Sequence, residues 1–181
     1  MITTVAIDKE VLYLLYHFSE EENIKIFHPR KHPGFPDRPP MVWAIDQDRS
    51  PLYYFPRDCP RIAFWAVPGT TERDRDRFFR TTTANKIVAI EGDWLHRLQT
   101  TDLHRYTFQP DHFKMLDEGA GYFVSYEIET PVSVEAVGNL LDALINDEVE
   151  IRIVPSLQPL SQELLKTTLH FSMIRMRNAK K

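Results

Sequence analysis

At 181 residues, 43% apolar and 12% aromatic, the chain can bury a sizeable core, which excludes a disordered polypeptide. A formal charge of -4 excludes the broad basic face of sequence-independent nucleic-acid binding, although arginines gather locally at Arg57 and Arg61. Cys59 is the only cysteine, so no intrachain disulfide forms and nothing requires an oxidising compartment.

The N-terminus lacks a basic region followed by a long apolar core, so no signal peptide is expected. Its longest apolar run, Val11 to Phe18, falls well short of the about 20 residues that cross a membrane. The expectation is a cytoplasmic protein without membrane contact, folded as one globular domain over residues 1–181.

Val11 to Phe18 is rich in leucine and aromatic residues and predicts a buried strand. It ends in Leu15-Tyr16-His17-Phe18-Ser19, delivering a polar ring to its edge where a turn residue is usual. Asn23 to Phe27 fits a helical turn or a short strand. Eight of the 13 prolines then lie between Pro29 and Pro60, so much of that stretch is predicted as ordered loop, at the surface or wrapped over a site. Met41 to Ile45 reads as a second strand, with Asp46 capping a short helix that carries Leu52, Tyr53 and Phe55.

Arg61 to Val67 predicts a third strand, and Thr70-Thr71-Glu72 opens a charged helix with Arg77 and Arg80 near its end. Lys86 to Glu91 is another strand, followed by Asp93 capping a helix over Trp94 to Leu98. Leu103 to Phe108 and Tyr122 to Ile128 alternate as strands. From Ser133 the apolar spacing of Val134, Val137, Leu141, Leu144 and Ile145 predicts a helix packed on a sheet. Val149 to Val154 is a strand with Glu150 and Arg152 on its polar face. Ser161 to Thr168 is helical, and Leu169 to Met176 fits either helix or strand. Interleaved strands and helices with some hairpin-length gaps give an α+β class, with a mixed, largely antiparallel sheet and flanking helices.

Motifs with strong chemical meaning are missing. No phosphate loop, Gly-x-Gly-x-x-Gly, Gly-x-Ser-x-Gly or His-Glu-x-x-His occurs, and the seven histidines are scattered, so no metal set is expected. With 6 glycines, arginine rather than backbone would hold a phosphate. Arg57 and Arg61 flank Cys59 and would favour its thiolate, with His17 as a base if the two meet. Trp43 and Trp65 fit the core or a stacking surface. Glu150 and Arg152 fit a solvated ion pair or a carboxylate in a cleft.

Four segments, Leu15 to Ser19, Val42 to Asp46, Pro56 to Arg61 and Phe171 to Asn178, together resemble an uncharacterised family of small bacterial proteins over nearly the whole chain. That resemblance implies no activity. More remotely, Tyr16-His17-Phe18-Ser19 followed by Val42-Trp43-Ala44 and Leu52-Tyr53 is similar to the ADP-ribosyltransferase-like fold. The likeness implies that His17 binds the ribose of NAD and that Glu150 activates the acceptor. No tyrosine stands clearly at the nicotinamide-stacking position.

The leading expectation is a domain that binds a small nucleotide-like anionic ligand. His17 and Glu150 are its candidate catalytic residues, and Tyr16, Ser19, Trp43, Arg57, Arg61 and Arg152 its candidate binding residues. The alternative is a non-catalytic binding module, or a homo-oligomer that buries the aromatic and proline-rich stretch from Pro33 to Tyr54. Cysteine-dependent hydrolysis at Cys59 is a third reading, and the residues leave open whether any catalysis occurs.

Overall fold

A computed structural model describes residues 13–32 and 35–181, so Val11, Leu12 and Pro33 lie outside the described residues. Among the described residues, ten strands and four α-helices build the expected α+β fold, its largely antiparallel strands divided between two sheets. The larger sheet contains β1 (Leu15–Ser19), β2 (Val42–Ile45), β5 (His104–Phe108), β6 (Lys114–Asp117), β7 (Tyr122–Ser125) and β8 (Ser133–Ala136). Its order is β6-β7-β2-β1-β5-β8, antiparallel throughout. The smaller sheet holds β3 (Arg61–Trp65), β4 (Lys86–Glu91), β9 (Val149–Val154) and β10 (His170–Ile174), ordered β10-β3-β4-β9, with only β4 and β9 parallel.

Side-chain alternation distributes these strands over three apolar layers. Between the sheets, Ala63, Trp65, Val88 and Ile90 meet Phe18 and Tyr54, with Leu98 of α2 (Leu95–Thr100) and Leu144 of α3 (Leu140–Asn146). On the far face of the smaller sheet, Ile62, Phe64, Ile87 and Ala89 lie under α1 (Glu72–Phe79) and α4 (Gln158–Leu164). The outer face of the larger sheet carries Leu15, Val42, Ala44, Tyr106 and Phe123, covered by Phe27 and Phe113. β3 is covered on both faces, which explains its unbroken apolar run beyond Arg61.

Local chemistry fixes several boundaries. Thr71 Oγ1 accepts from Asp74 N and starts α1 where a hydroxyl cap was expected. The Asp74 carboxylate accepts in turn from Thr168 N and Oγ1 at 2.8 and 2.7 Å, fastening α1 to the segment that leads into β10. Buried Glu91 accepts from Leu157 N and Lys180 N, tying the C-terminal residues to the end of β4.

The long helix expected from Ser133 does not form. Ser133–Ala136 instead adds to β5 as the exposed edge strand β8, Gly138 turns the chain at φ +80°, and Asn139 caps a helix that begins only at Leu140. The β-branched Val134 and Val137 favour the strand, and Gly138 and Asn139 are interruptions that a helical stripe does not tolerate. Asp93 does not cap α2 either; it lies inside a 3₁₀ turn over Gly92–Trp94. Leu52 and Tyr53 belong to a 3₁₀ turn, Ser50–Tyr53, and Asp46 Oδ1 accepts from Arg49 N just before it.

Candidate functional site

β1 and β2 are neighbours at the centre of the larger sheet, yet their backbones are in register at Tyr16 and Ile45 alone. The ladder is replaced by a side chain: His17 Nδ1 lies 2.9 Å from the main-chain oxygen of Trp43. A carbonyl oxygen only accepts, so Nδ1 carries the proton. On the neutral ring this leaves Nε2 as a bare acceptor.

Burial pushes the His17 pKa below the ordinary 6.5, partly offset by the bond to Trp43, while Arg57 and Arg30 push it down further. His17 is therefore neutral near pH 7. Its ring meets the edge of Phe27 with centroids 5.0 Å apart, which holds it in the gap between the two strands.

The second feature is an aromatic wall. Trp43 contacts His32 and Phe35 of the proline-rich loop, with centroids 4.9 and 5.3 Å away, and the ring of Tyr122 at 5.6 Å. The indole Nε1 of Trp43 is enclosed and makes no hydrogen bond among the described residues. The loop thus folds against Trp43, as a covering segment would. Tyr122 follows Gly121, whose φ of +67° and close approach to Asp46 leave no room for a Cβ. From Tyr122 a groove of about 470 Å³ continues past Trp65, His170 and Ser172.

Arginines form the third feature. Arg61, expected as a ligand residue, is 3% exposed, donating from Nε to Leu52 O at 2.7 Å and from Nη1 to Cys59 O at 3.0 Å. Its guanidinium lies over the rings of Tyr53 and Phe55. Tyr53 and Tyr122 join their hydroxyls at 2.8 Å, and burial holds the Tyr53 phenol well above its usual pKa, so it stays protonated. Arg175 directly follows Ile174, the β10 residue in register with Arg61, and its Nε donates to Arg57 O at 3.2 Å. Asn178 Nδ2 donates to Asp58 O at 2.8 Å, closing the C-terminal turn onto the same loop.

The structure joins Trp43 to Arg61 through Tyr122 and Tyr53 on the face of the larger sheet that looks toward the smaller one, with Arg57 O bonded by Arg175 nearby. His17 instead packs against Phe27 on the outer face and reaches Trp43 only at its main-chain oxygen; the other candidates lie apart. Glu150 lies on the far face of the smaller sheet, bonded to Arg152 Nε at 2.7 Å; Arg152 in turn donates to Phe78 O at the end of α1. The shared cleft of His17 with Glu150 and Arg152 is not formed, because the alternation of β9 turns Ile151 toward the inter-sheet core and both charged residues away from it. Arg152 and Thr82 hold the Glu150 carboxyl below its usual range, the behaviour of a structural ion pair.

Tyr16 lies under the guanidinium of Arg105, on the opposite face of β1 from His17. Ser19 Oγ accepts from Glu21 N and closes a turn. Cys59 is fully buried and its thiol is pushed up to about 12, chiefly by burial, so the flanking arginines do not produce a thiolate. The apolar residues between Met41 and Tyr54, among them Ala44, Ile45 and Leu52, are inside the protein and not on a free surface. Among the described residues no three His, Cys, Asp or Glu side chains gather as a metal-ligand set, and no helix is long and apolar enough to cross a membrane.

Sequence reasoning missed Tyr53, Tyr122, His32 and Arg175 as members of this region. The left-handed backbone of Arg175, φ 55°, accompanies the chain's turn onto Arg57 and leaves no mark in composition. With the geometry in place, comparison with known proteins adds one positive result: the chain belongs to a family of unknown function (DUF6886), whose model matches residues 16–179. No curated protein and no solved structure matches the chain.

Proposed function

We propose that this family member binds a small nucleotide-like anionic ligand at the opening between β1 and β2. The observation that carries the proposal is the single registered pair between two central strands, with the ladder taken over by a neutral histidine whose Nε2 is free to accept a hydroxyl proton. Sheets close such gaps with ladder bonds unless something else uses the space, and irregular strand pairing of this kind is common beside binding sites. In this reading the Trp43 wall packs a flat ring, His17 accepts from a sugar hydroxyl, and arginine takes the negative charge. NAD, AMP and other adenine nucleotides share these three chemical parts.

Glu150 lies on the far face, so the proposal is a binding site and not an ADP-ribosyl transfer. The test is a thermal-shift and calorimetric titration with adenosine, AMP and NAD. The expected result is saturable stabilisation, about 2.7 kcal/mol at a ligand concentration 100 times Kd, that is lost in His17→Ala and in Trp43→Leu. Absence of binding by all three compounds, or undiminished binding in both variants, rejects the proposal.

A further inference from the structure

Arg61 poses a problem that the ligand reading alone does not answer. A guanidinium taken out of water is costly unless an anion pairs with it. Arg61 is 3% exposed, its guanidinium bonds the carbonyls of Leu52 and Cys59, and no carboxylate among the described residues reaches it. Backbone carbonyls and ring faces supply partial negative charge only.

Arg175 sharpens the problem, because β10 sets it one residue beyond the register partner of Arg61. Its backbone adopts φ 55°, a conformation that disfavours any side chain with a Cβ. Two cations brought together this way, one of them in a left-handed backbone held by the bond to Arg57 O, are typical of a site that awaits a charge.

The Tyr53–Tyr122 pair adds a donor by counting. Two hydroxyls carry two protons, the 2.8 Å bond between them uses one, and the other has no acceptor among the described residues.

We infer that Arg61, Arg175 and the spare hydroxyl proton of the Tyr53–Tyr122 pair form a subsite for a phosphoryl group, so that the ligand of the proposed cleft is a phosphorylated one. The inference rests on the cleft for its location. The donors belong to three separate elements, β3, the end of β10 and the hairpin at Tyr122, which suits the three oxygens of a tetrahedral group. A planar carboxylate is satisfied by one guanidinium fork. In a chain with a formal charge of -4, such a local cluster also draws anions to one place.

The experiment titrates the full chain with inorganic pyrophosphate, AMP, adenosine and acetate at constant ionic strength. Arg175→Gln and Tyr122→Phe are the test variants, and Arg77→Gln, an exposed ion-pair residue on α1, is the control. The expected result is that pyrophosphate binds while acetate does not, and that AMP binds more tightly than adenosine. Arg175→Gln weakens pyrophosphate about tenfold, and Tyr122→Phe roughly two- to tenfold, the equivalents of one lost charge-assisted or neutral hydrogen bond. Arg77→Gln leaves it unchanged.

Pyrophosphate that fails to bind, or that binds both test variants as it binds the wild type, overturns the inference. Should adenosine bind in a His17-dependent way and pyrophosphate not at all, the phosphoryl subsite is rejected while the cleft remains. Pyrophosphate binding that depends on Arg175, without any adenosine binding, supports the subsite and rejects the nucleoside part of the cleft. If Arg175→Gln fails to fold, Tyr122→Phe carries the same comparison.

Discussion

Replacing His17 with alanine removes two interactions, the Nδ1 bond to Trp43 O and the edge contact with Phe27. The hydrogen bond contributes about 1 kcal/mol and the ring contact about 0.5–1.5 kcal/mol. Folding stability at pH 7.5 should therefore fall by about 1.5–2.5 kcal/mol. For a chain of this length each kcal/mol moves Tm by about 2–4 °C, so the expected drop is roughly 3–10 °C. The pH dependence has a definite sign. Burial, with help from Arg57 and Arg30, depresses the folded pKa of His17, so on acidification the unfolded chain takes up this proton first. The wild type loses stability as pH falls below the unfolded value of about 6.5 toward the depressed folded one. His17→Ala has no such loss, and its deficit should narrow. Urea unfolding of both proteins at pH 7.5 and 5.5 measures this directly. An unchanged stability at pH 7.5 refutes the packing argument, and a deficit that widens on acidification refutes the sign.

Gly121→Ala should cost about 2–4 kcal/mol, because φ is +67° and the new Cβ would lie 2.6 Å from both Asp46 Oδ2 and Arg49 Cγ; a Tm within 1 °C of wild type contradicts this. Asp74→Asn should destabilise at pH 7. Bonds from Thr168 N and Oγ1 and from Thr71 hold the Asp74 carboxyl below its usual range, so its contribution is present above about pH 3.9 and is lost as pH falls through the folded value. The difference between the two proteins should shrink in acid titrations below pH 4, and a constant difference argues against the bonds. Cys59 should resist iodoacetamide at pH 7.5 until the protein unfolds, since burial raises its pKa to about 12; rapid labelling of the native protein shows an exposed thiolate instead.

What could be read from the residues was mostly local. The apolar runs of β3, β4 and β9 identify strands because burial on one or both faces leaves a periodic trace, and Thr71 marks the start of α1 through its hydroxyl. β8 was hidden because Val134 and Val137 also satisfy a helical stripe, and Lys114–Asp117 was missed because a half-exposed edge strand carries too little apolar signal. His17 was visible in the sequence as a strand end, whereas it stands in the middle of β1, which continues to Ser19. Its role depends on how β2 pairs with β1, a tertiary property of strands about 25 residues apart. Glu150 misled for the same reason: alternation within β9 shows that it leaves the core, but only the stacking order of the sheets shows which outer face it reaches.

The central claim is that the opening between β1 and β2 binds a nucleotide, and the most direct measurement follows the indole N–H resonances of ¹⁵N-labelled protein as AMP is added. Trp43 forms the wall of the opening, whereas Trp94 lies under Arg97 beside α2. The account predicts a saturable shift of the Trp43 resonance with Trp94 unmoved, and no shift of Trp43 in His17→Ala. A Trp43 resonance that stays in place at millimolar AMP, or a shift confined to Trp94, would contradict it.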